Sequence, residues 1–336
     1  MKFKPVATIV VLMGMASLPA VFHAAAAPAP GGSQPIRSPK PKFYENVAFD
    51  RSPTTLRELA AHRVTPPLPD EDQGEIREEN GPEAVDSDVY FPDVAVQDRL
   101  GPAAIPSTLA NFEGLSNQDN FNIFGGRVNP PDPVGDVGPN HYVEMTNLTF
   151  AVYDKSGNRL LGPVDTGTLW AGFVIPDCQD PSGDPIVLYD QFSDRWLLSQ
   201  FTTRGLDDPS LPFYNCVAIS ATPDPTGVYY RYAFKTQADP ESPPGGTFFP
   251  DYPKYGVWKD SYILTTRDFG LVTGYGISVY ALEKNKMIAG NPNARAVQFF
   301  IDGNDPALLP LVGDGLLPAD FDGTKQPKED AAIPIV

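Results

Sequence analysis

The sequence predicts an all-β protein built from repeated units of four antiparallel strands, and three observations predict it. From residue 107 onward, short runs rich in Val, Ile, Tyr, Phe, Trp and Thr are separated by Gly, Pro, Asp and Asn turns. No segment of this region has a sustained apolar period of 3.6 residues, as a helical domain would. An Asp-led strand followed by an aromatic-led strand occurs three times, beginning at Asp132, Asp184 and Asp251.

These repeats favour a β-propeller over a β-sandwich. Their first residues are spaced by 52 and 67 positions, and each repeat continues into a third and usually a fourth strand. Four antiparallel strands at such a period describe one propeller blade. A sandwich would account for the number of strands but not for the repeated spacing from the Asp to the aromatic-led strand. We therefore predict a partial β-propeller domain over residues 107–336, with about three blades visible.

Residues 1–26 have the pattern of a signal peptide. Lys2 and Lys4 precede an apolar run over residues 6–21, and three alanines at 24–26 offer a cleavage site. The apolar run is shorter than the roughly 20 residues that a membrane-spanning helix needs. We expect a protein that is secreted or periplasmic and not inserted in the membrane after cleavage.

Residues 27–106 are predicted to be a disordered linker. Thirteen of the 79 residues over 28–106 are Pro, and residues 70–98 hold eleven acidic residues against one basic residue. Like charges repel and little apolar surface is available to offset the entropy of ordering. Only residues 53–61 have the pattern of a short helix, with Ser52 as its N-cap.

Net charge and cysteine content restrict the partners and the compartment. The formal net charge is −17, which argues against binding to nucleic acid or to anionic lipid, because both need excess Lys and Arg. The two cysteines, Cys178 and Cys216, lie in the region predicted to be exported, where disulfides form. We predict a disulfide between them; two buried free thiols are the alternative.

Several of these stretches resemble the blades of a mostly uncharacterised group of secreted bacterial β-propeller proteins, whose repeats are distantly similar to those of sialidases. The run PPDPVGDVGPNHYVEMTN (130–147) resembles their opening blade. The most specific matches are TPDPTG with YYRYAF (222–234) and FPDYPKYGVW (249–258). The resemblance implies a propeller and an exported protein. Members of the group continue through further blades, so it also predicts a C-terminally truncated member, or one that assembles with other copies.

The repeat-initial aspartates are the candidate ligand site. The first strand of a propeller blade lies nearest the central channel, so Asp132, Asp184 and Asp251 are expected at one rim of that channel. Arg195 and Arg267 are the candidate basic residues there, because a carboxylate sugar would need arginines to bind it. The alternative is structural: each Asp accepts backbone N–H groups in the turn that precedes its strand.

The residues that hydrolytic enzymes require are mostly absent from the sequence. His141 is the only imidazole in the predicted domain, and neither a Gly-x-Ser-x-Gly elbow nor the Asp-box of true sialidases occurs. Two suitably spaced carboxylates would nevertheless suffice for glycoside hydrolysis. No cofactor is expected. Calcium is the weaker alternative, because two Asp-rich turns carry oxygen ligands beside Gly, at Asp302, Asp305, Asp320 and Asp322.

Three hypotheses about function follow. The leading one is a secreted, non-enzymatic propeller module that binds an extracellular glycan or protein through its channel rim or loop face. The second is a glycosidase-like, sialidase-related hydrolase that uses rim carboxylates. The third is a truncated propeller without function.

Overall fold

Antiparallel β-strands form most of the fold in a computed structural model, which describes residues 39–66, 107–305, 312–323, 325–328 and 330–336. The predicted signal peptide therefore lies outside the described residues. The strands in chain order are β1 (Lys42–Glu45), β2 (Ala48–Arg51), β3 (Val134–Val137), β4 (His141–Thr146), β5 (Thr149–Asp154), β6 (Arg159–Asp165), β7 (Ile186–Asp190), β8 (Arg195–Phe201), β9 (Tyr214–Ser220), β10 (Tyr229–Lys235), β11 (Phe249–Val257), β12 (Ser261–Phe269), β13 (Tyr275–Glu283) and β14 (Arg295–Asp302).

The strands form three sheets, each built on four strands that are consecutive in the chain. Sheet I is β3-β4-β5-β6, sheet II contains β7-β8-β9-β10 and sheet III contains β11-β12-β13-β14. Every pairing within them is antiparallel. The prediction of an all-β protein with four-stranded antiparallel sheets is confirmed.

Sheet II is buried on both faces because the other two sheets pack against it. Successive side chains of a strand point to opposite faces, so Leu198 and Ala218 join the core shared with sheet I. Their neighbours Leu197, Val217 and Ile219 join the core shared with sheet III. This double burial explains why β8 and β9 read as nearly continuous apolar runs rather than as alternating strands.

The outer faces of sheets I and III are covered by the segments that flank the three sheets. On sheet I, the Phe112 ring contacts Tyr142 and Tyr153, with ring centroids 6.0 and 5.6 Å apart. Helix α2 (Asn117–Phe124) follows Phe112 in the same flanking segment. On sheet III, residues 316–335 supply the apolar cover over the buried side chains of Trp258, Ile263 and Val279.

Part of the predicted disordered linker forms strands, so that prediction is wrong for residues 42–51. Strand β1 pairs with β14 and strand β2 pairs with β10, which extends sheets III and II to five strands each. The prediction failed because composition was averaged over the whole linker, whereas a free sheet edge can order a short strand through backbone hydrogen bonds alone. Residues 27–38 and 67–106 of the predicted linker lie outside the described residues.

Helix α1 (Leu56–His62) begins three residues later than the predicted helix. Thr55 is its N-cap, and Thr55 and Glu58 form a reciprocal capping box, which satisfies two backbone N–H groups. Ser52 instead points into the core, where its hydroxyl accepts the backbone N–H of Tyr229.

The third helix, α3 (Lys284–Ile288), is a single turn between β13 and β14. No helix of the described residues is long and apolar enough to cross a membrane.

The predicted disulfide is present between Cys178 and Cys216, whose Cα atoms are 6.0 Å apart. Cys216 lies on β9, and Cys178 lies on a 3₁₀ turn (Pro176–Gln179) that precedes β7. Both residues are fully buried in the core between sheets I and II. The bridge therefore fixes the connection between the two sheets to the middle of sheet II.

Candidate functional site

The first strands of the three sheets lie next to one another, β3 beside β7 and β7 beside β11. In each sheet a non-glycine residue in the left-handed region is followed by proline. Asp132 (φ 38°) and Asp184 (φ 45°) stand two residues before β3 and β7 begin, and Tyr252 (φ 53°) lies within β11, where the pairing with β12 shifts register. A residue before proline prefers an extended backbone, and a positive φ costs a non-glycine residue roughly 1–3 kcal/mol. The same unfavourable conformation therefore recurs at the same place in all three sheets.

This recurrence shifts the sequence alignment of the third repeat by one residue. When the three repeats are aligned by sequence, Asp251 is the equivalent of Asp132 and Asp184. The backbone conformation instead makes Tyr252 their equivalent and puts Asp251 one position earlier. The repeated element is a left-handed residue followed by Pro, which two repeats build with Asp and the third with Tyr. An alignment of the repeats by their aspartates does not reveal this repeated element.

The three aspartates are nevertheless close enough to interact. Burial raises the pKa of the half-buried Asp184 carboxyl to about 7, and repulsion from Asp251 and Asp132 adds to that shift. Lys254 and the backbone N–H of Tyr252 act in the opposite direction. We call these five residues, Asp132, Asp184, Asp251, Tyr252 and Lys254, the inner-strand rim.

A chain of hydrogen bonds connects the three left-handed residues of the first strands. Asn147 donates through Nδ2 to Asp132 Oδ2 at 2.6 Å, and its Oδ1 accepts the backbone N–H of Asp184 at 2.8 Å. Asp184 Oδ2 in turn accepts the backbone N–H of Tyr252 at 3.1 Å. Asn147 is buried at the turn between β4 and β5. Sequence analysis missed it, because no local pattern marks an Asn that connects two sheets.

Two cations lie against the exposed ring of Tyr252. Lys254 Nζ is 3.6 Å from the ring centroid, and the Arg267 guanidinium is 5.9 Å from it. Burial lowers the pKa of Lys254, although the three rim aspartates oppose that shift. Arg267 also forms an ion pair with Asp314 at 3.1 Å. The rim therefore combines three carboxylates, the Lys254 cation and a tyrosine that is 53 % exposed, and Arg267 lies beside it.

Arg195, the other basic candidate, lies away from the rim. It begins β8 and pairs across the hairpin with Asp190, the last residue of β7. Because β8 runs antiparallel to β7, the start of β8 lies at the end of β7 that is farthest from Asp184. Its guanidinium donates to the carbonyls of Ser193 and Asp194 within the hairpin turn.

The proposed calcium ligands are not brought together. Asp302 accepts the backbone N–H and the side-chain N–H of Asn304 in its own turn. Asp320 accepts the backbone N–H of Val257 at 2.7 Å, at the edge of β11. Among the residues that the structure describes, no group of three or more His, Cys, Asp or Glu side chains is arranged to hold a metal ion.

A pocket of about 350 Å³ lies at the other end of the first strands. It is lined by the β3–β4 turn, by Tyr189 and Gln191 at the end of β7, and by Asp322. Asp136 lies in its wall, where its carboxylate accepts the backbone N–H groups of Val137 and Tyr189, both at 2.6 Å. Both carboxylate oxygens of Asp136 are therefore used to position the backbone.

No protein-family model, curated protein or solved structure matches this chain. The rim geometry and the fold are therefore the grounds for assigning a function.

Proposed function

We propose that this chain is an exported, non-enzymatic module of β-propeller type that binds an extracellular glycan at the inner-strand rim. Three successive four-stranded antiparallel sheets with their first strands adjacent are the arrangement expected of neighbouring blades. The resemblance of the blade stretches to secreted bacterial propeller proteins agrees with this, as does a disulfide, which forms in oxidising compartments.

The observation that carries the proposal is the repeated left-handed backbone at Asp132, Asp184 and Tyr252. Unfavourable backbone conformations persist where the surroundings enforce them, and they are concentrated at sites that position a ligand. Here they direct two carboxylates and one exposed aromatic ring to the same rim. Carboxylates accept hydrogen bonds from sugar hydroxyls, and an aromatic ring provides a stacking surface for a sugar face.

Binding to an immobilised panel of neutral, acidic and amino oligosaccharides tests this proposal. We expect the wild-type protein to bind one class of glycan, and both Asp184→Asn and Tyr252→Ala to weaken that binding at least about tenfold, which corresponds to roughly 1.4 kcal/mol. The matched control is Asp260→Asn, because Asp260 is an exposed carboxylate in the β11–β12 turn. Equal binding by all four proteins would contradict a rim site.

A glycosidase is the second candidate, and the Asp184 carboxyl is the reason to keep it. Its pKa of about 7 suits a general acid, and it lies near two other carboxylates, one of which could serve as the base or nucleophile. Release of 4-methylumbelliferone from its glycosides, including the sialoside, tests this candidate. A hydrolase would lose turnover in Asp184→Asn and retain it in Asp260→Asn, whereas absence of turnover in the wild-type protein would leave the binding function.

A further inference from the structure

Residues 42–65, which we call the strap, contact all three sheets. Strand β1 pairs with β14 of sheet III, and β2 pairs with β10 of sheet II. After helix α1 has begun, the strap reaches sheet I, where Arg57 donates to the Leu160 carbonyl at 2.8 Å. The strap thus crosses the sheets in the order III, II, I. We call the remaining described residues, from 107 onward, the body.

The strap neutralises a buried cation of the body. Arg231 on β10 is fully buried, and Asp50 on β2 accepts its Nε at 2.7 Å and its Nη2 at 2.6 Å. The third nitrogen, Nη1, donates to the carbonyls of Leu169 and Ala171. The carboxylate in this set of contacts comes from the strap, so the body alone would hold a buried guanidinium bonded only to neutral carbonyls.

The strap also neutralises a buried anion. Asp165 ends β6 and is fully buried, and Arg63 donates to its Oδ1 through Nη2 at 2.7 Å. The Arg63 Nε and the Thr65 hydroxyl donate to the same carboxylate. The body thus buries one charge of each sign, and the strap supplies the two opposite charges. These are Asp50 and Arg63, which are thirteen residues apart in sequence. An unpaired buried charge is strongly destabilising, so each of these body charges depends on the partner that the strap supplies.

Apolar contacts complete the fit of the strap to the body. Leu56 is fully buried and Ala48 nearly so, and both belong to the core between sheets I and II. The Phe49 ring lies 4.9 Å from that of Tyr232 on sheet II. The contacts named here join the strap to residues at least 100 positions later in the chain, so none of them depends on a local covalent connection.

We propose that the strap is a separable ligand of the body, and that the groove it occupies accepts the same segment from a second copy of the chain. Forty residues separate Pro66 from Ser107, and a chain of that length spans up to about 130 Å when extended. The connection therefore does not dictate which molecule supplies the strap. The strap of the same chain has the advantage of a high effective concentration, so exchange between copies grows with protein concentration or follows cleavage of the connection.

The first experiment uses the full chain with a specific protease site inserted between residues 67 and 106. After cleavage, we expect the strap fragment to co-elute with the body on size exclusion. A labelled peptide of residues 39–66 should then exchange into the complex. The matched control is the same peptide with Asp50→Asn and Arg63→Gln, which keeps length and shape and should bind about 100-fold more weakly. Elution of the strap fragment apart from the body, or equal binding of both peptides, would overturn the proposal.

A second experiment needs no cleavage and no isolated body. Phe43 and Val297 are register partners in the β1–β14 pair. Two differently tagged full chains, one with Phe43→Cys and the other with Val297→Cys, are co-expressed and concentrated to about 100 μM under oxidising conditions. Exchange predicts a covalent heterodimer for this pair, and none when Val297→Cys is replaced by Val272→Cys in an exposed turn. Absence of the heterodimer, or equal yields from both pairs, would exclude exchange between copies.

Discussion

Asp50 and Arg231, 181 positions apart in sequence, form a bidentate ion pair with N–O distances of 2.7 and 2.6 Å. The pair joins a segment whose composition predicts disorder to β10 of sheet II. The guanidinium is fully buried whereas the Asp50 side chain is 31 % exposed, so loss of the carboxylate would leave a buried charge without its counter-charge.

Removal of this carboxylate should be strongly destabilising. We expect Asp50→Ala to lower the free energy of unfolding by about 3 kcal/mol, because it leaves Arg231 buried without a counter-charge. The comparison is Asp180→Ala, which breaks the exposed pair with Arg204 and should cost less than about 1 kcal/mol. Urea unfolding of both variants measures the difference, and equal losses would contradict the role of burial.

Asp268 should make stability depend on pH. This carboxyl on β12 is fully buried, and burial raises its pKa to about 7, although hydrogen bonds from the Ser278 and Thr266 hydroxyls oppose the shift. Between about pH 4 and pH 7 the folded state keeps a proton that the unfolded state has released. Stability contributed by this group is therefore present below pH 4 and decreases as the pH rises to about 7.

Asp268→Asn should remove that dependence. We expect the variant to be more stable than the wild-type protein at pH 8 and to differ little from it near pH 4, because Asn carries no charge at either pH. Melting temperatures measured from pH 4 to pH 8 provide the test, with Asp260→Asn as the exposed control. A variant that is less stable than the wild-type protein at pH 8 would show that the ionised carboxylate is favourable there.

The left-handed backbone of Tyr252 predicts an unusual order of stability between two substitutions. Tyr252→Ala and Tyr252→Gly both remove the ring and its contact with Lys254, but only Gly adopts φ 53° without steric cost. At most positions a Gly variant is less stable than the Ala variant, because Gly loses more conformational freedom on folding. Here we expect Tyr252→Gly to be more stable than Tyr252→Ala by about 1 kcal/mol in urea unfolding.

Loss of the disulfide should weaken the domain without abolishing its sheets. Cys178 and Cys216 close a loop of 38 residues, for which chain entropy predicts a contribution of about 3–4 kcal/mol. The double variant Cys178→Ala and Cys216→Ala should lose about that amount, while its far-ultraviolet circular dichroism stays close to that of the wild-type protein. Thiol titration of the denatured, unreduced wild-type protein should find no free thiol.

The sequence by itself determined the elements that depend on local patterns. Short runs rich in Val, Ile, Tyr, Phe, Trp and Thr, separated by Gly, Pro, Asp and Asn turns, predicted the strands after residue 107. Chain order placed them in three sheets, because antiparallel neighbours need only short connections. The pairing of the two cysteines followed from their number. The aspartates of the rim were selected because each begins one of the three repeats.

Only the tertiary structure decided which distant groups meet. A free sheet edge binds any suitable strand through backbone groups, so nothing in residues 42–51 revealed that β1 and β2 would extend sheets III and II. Three features of the site likewise depend on how whole sheets pack. Tyr252 is the equivalent of Asp184 in its sheet, Asn147 lies between two sheets, and Arg195 lies at the far end of β7. Burial and charge pairing are properties of the packed molecule, so composition along the chain does not report them.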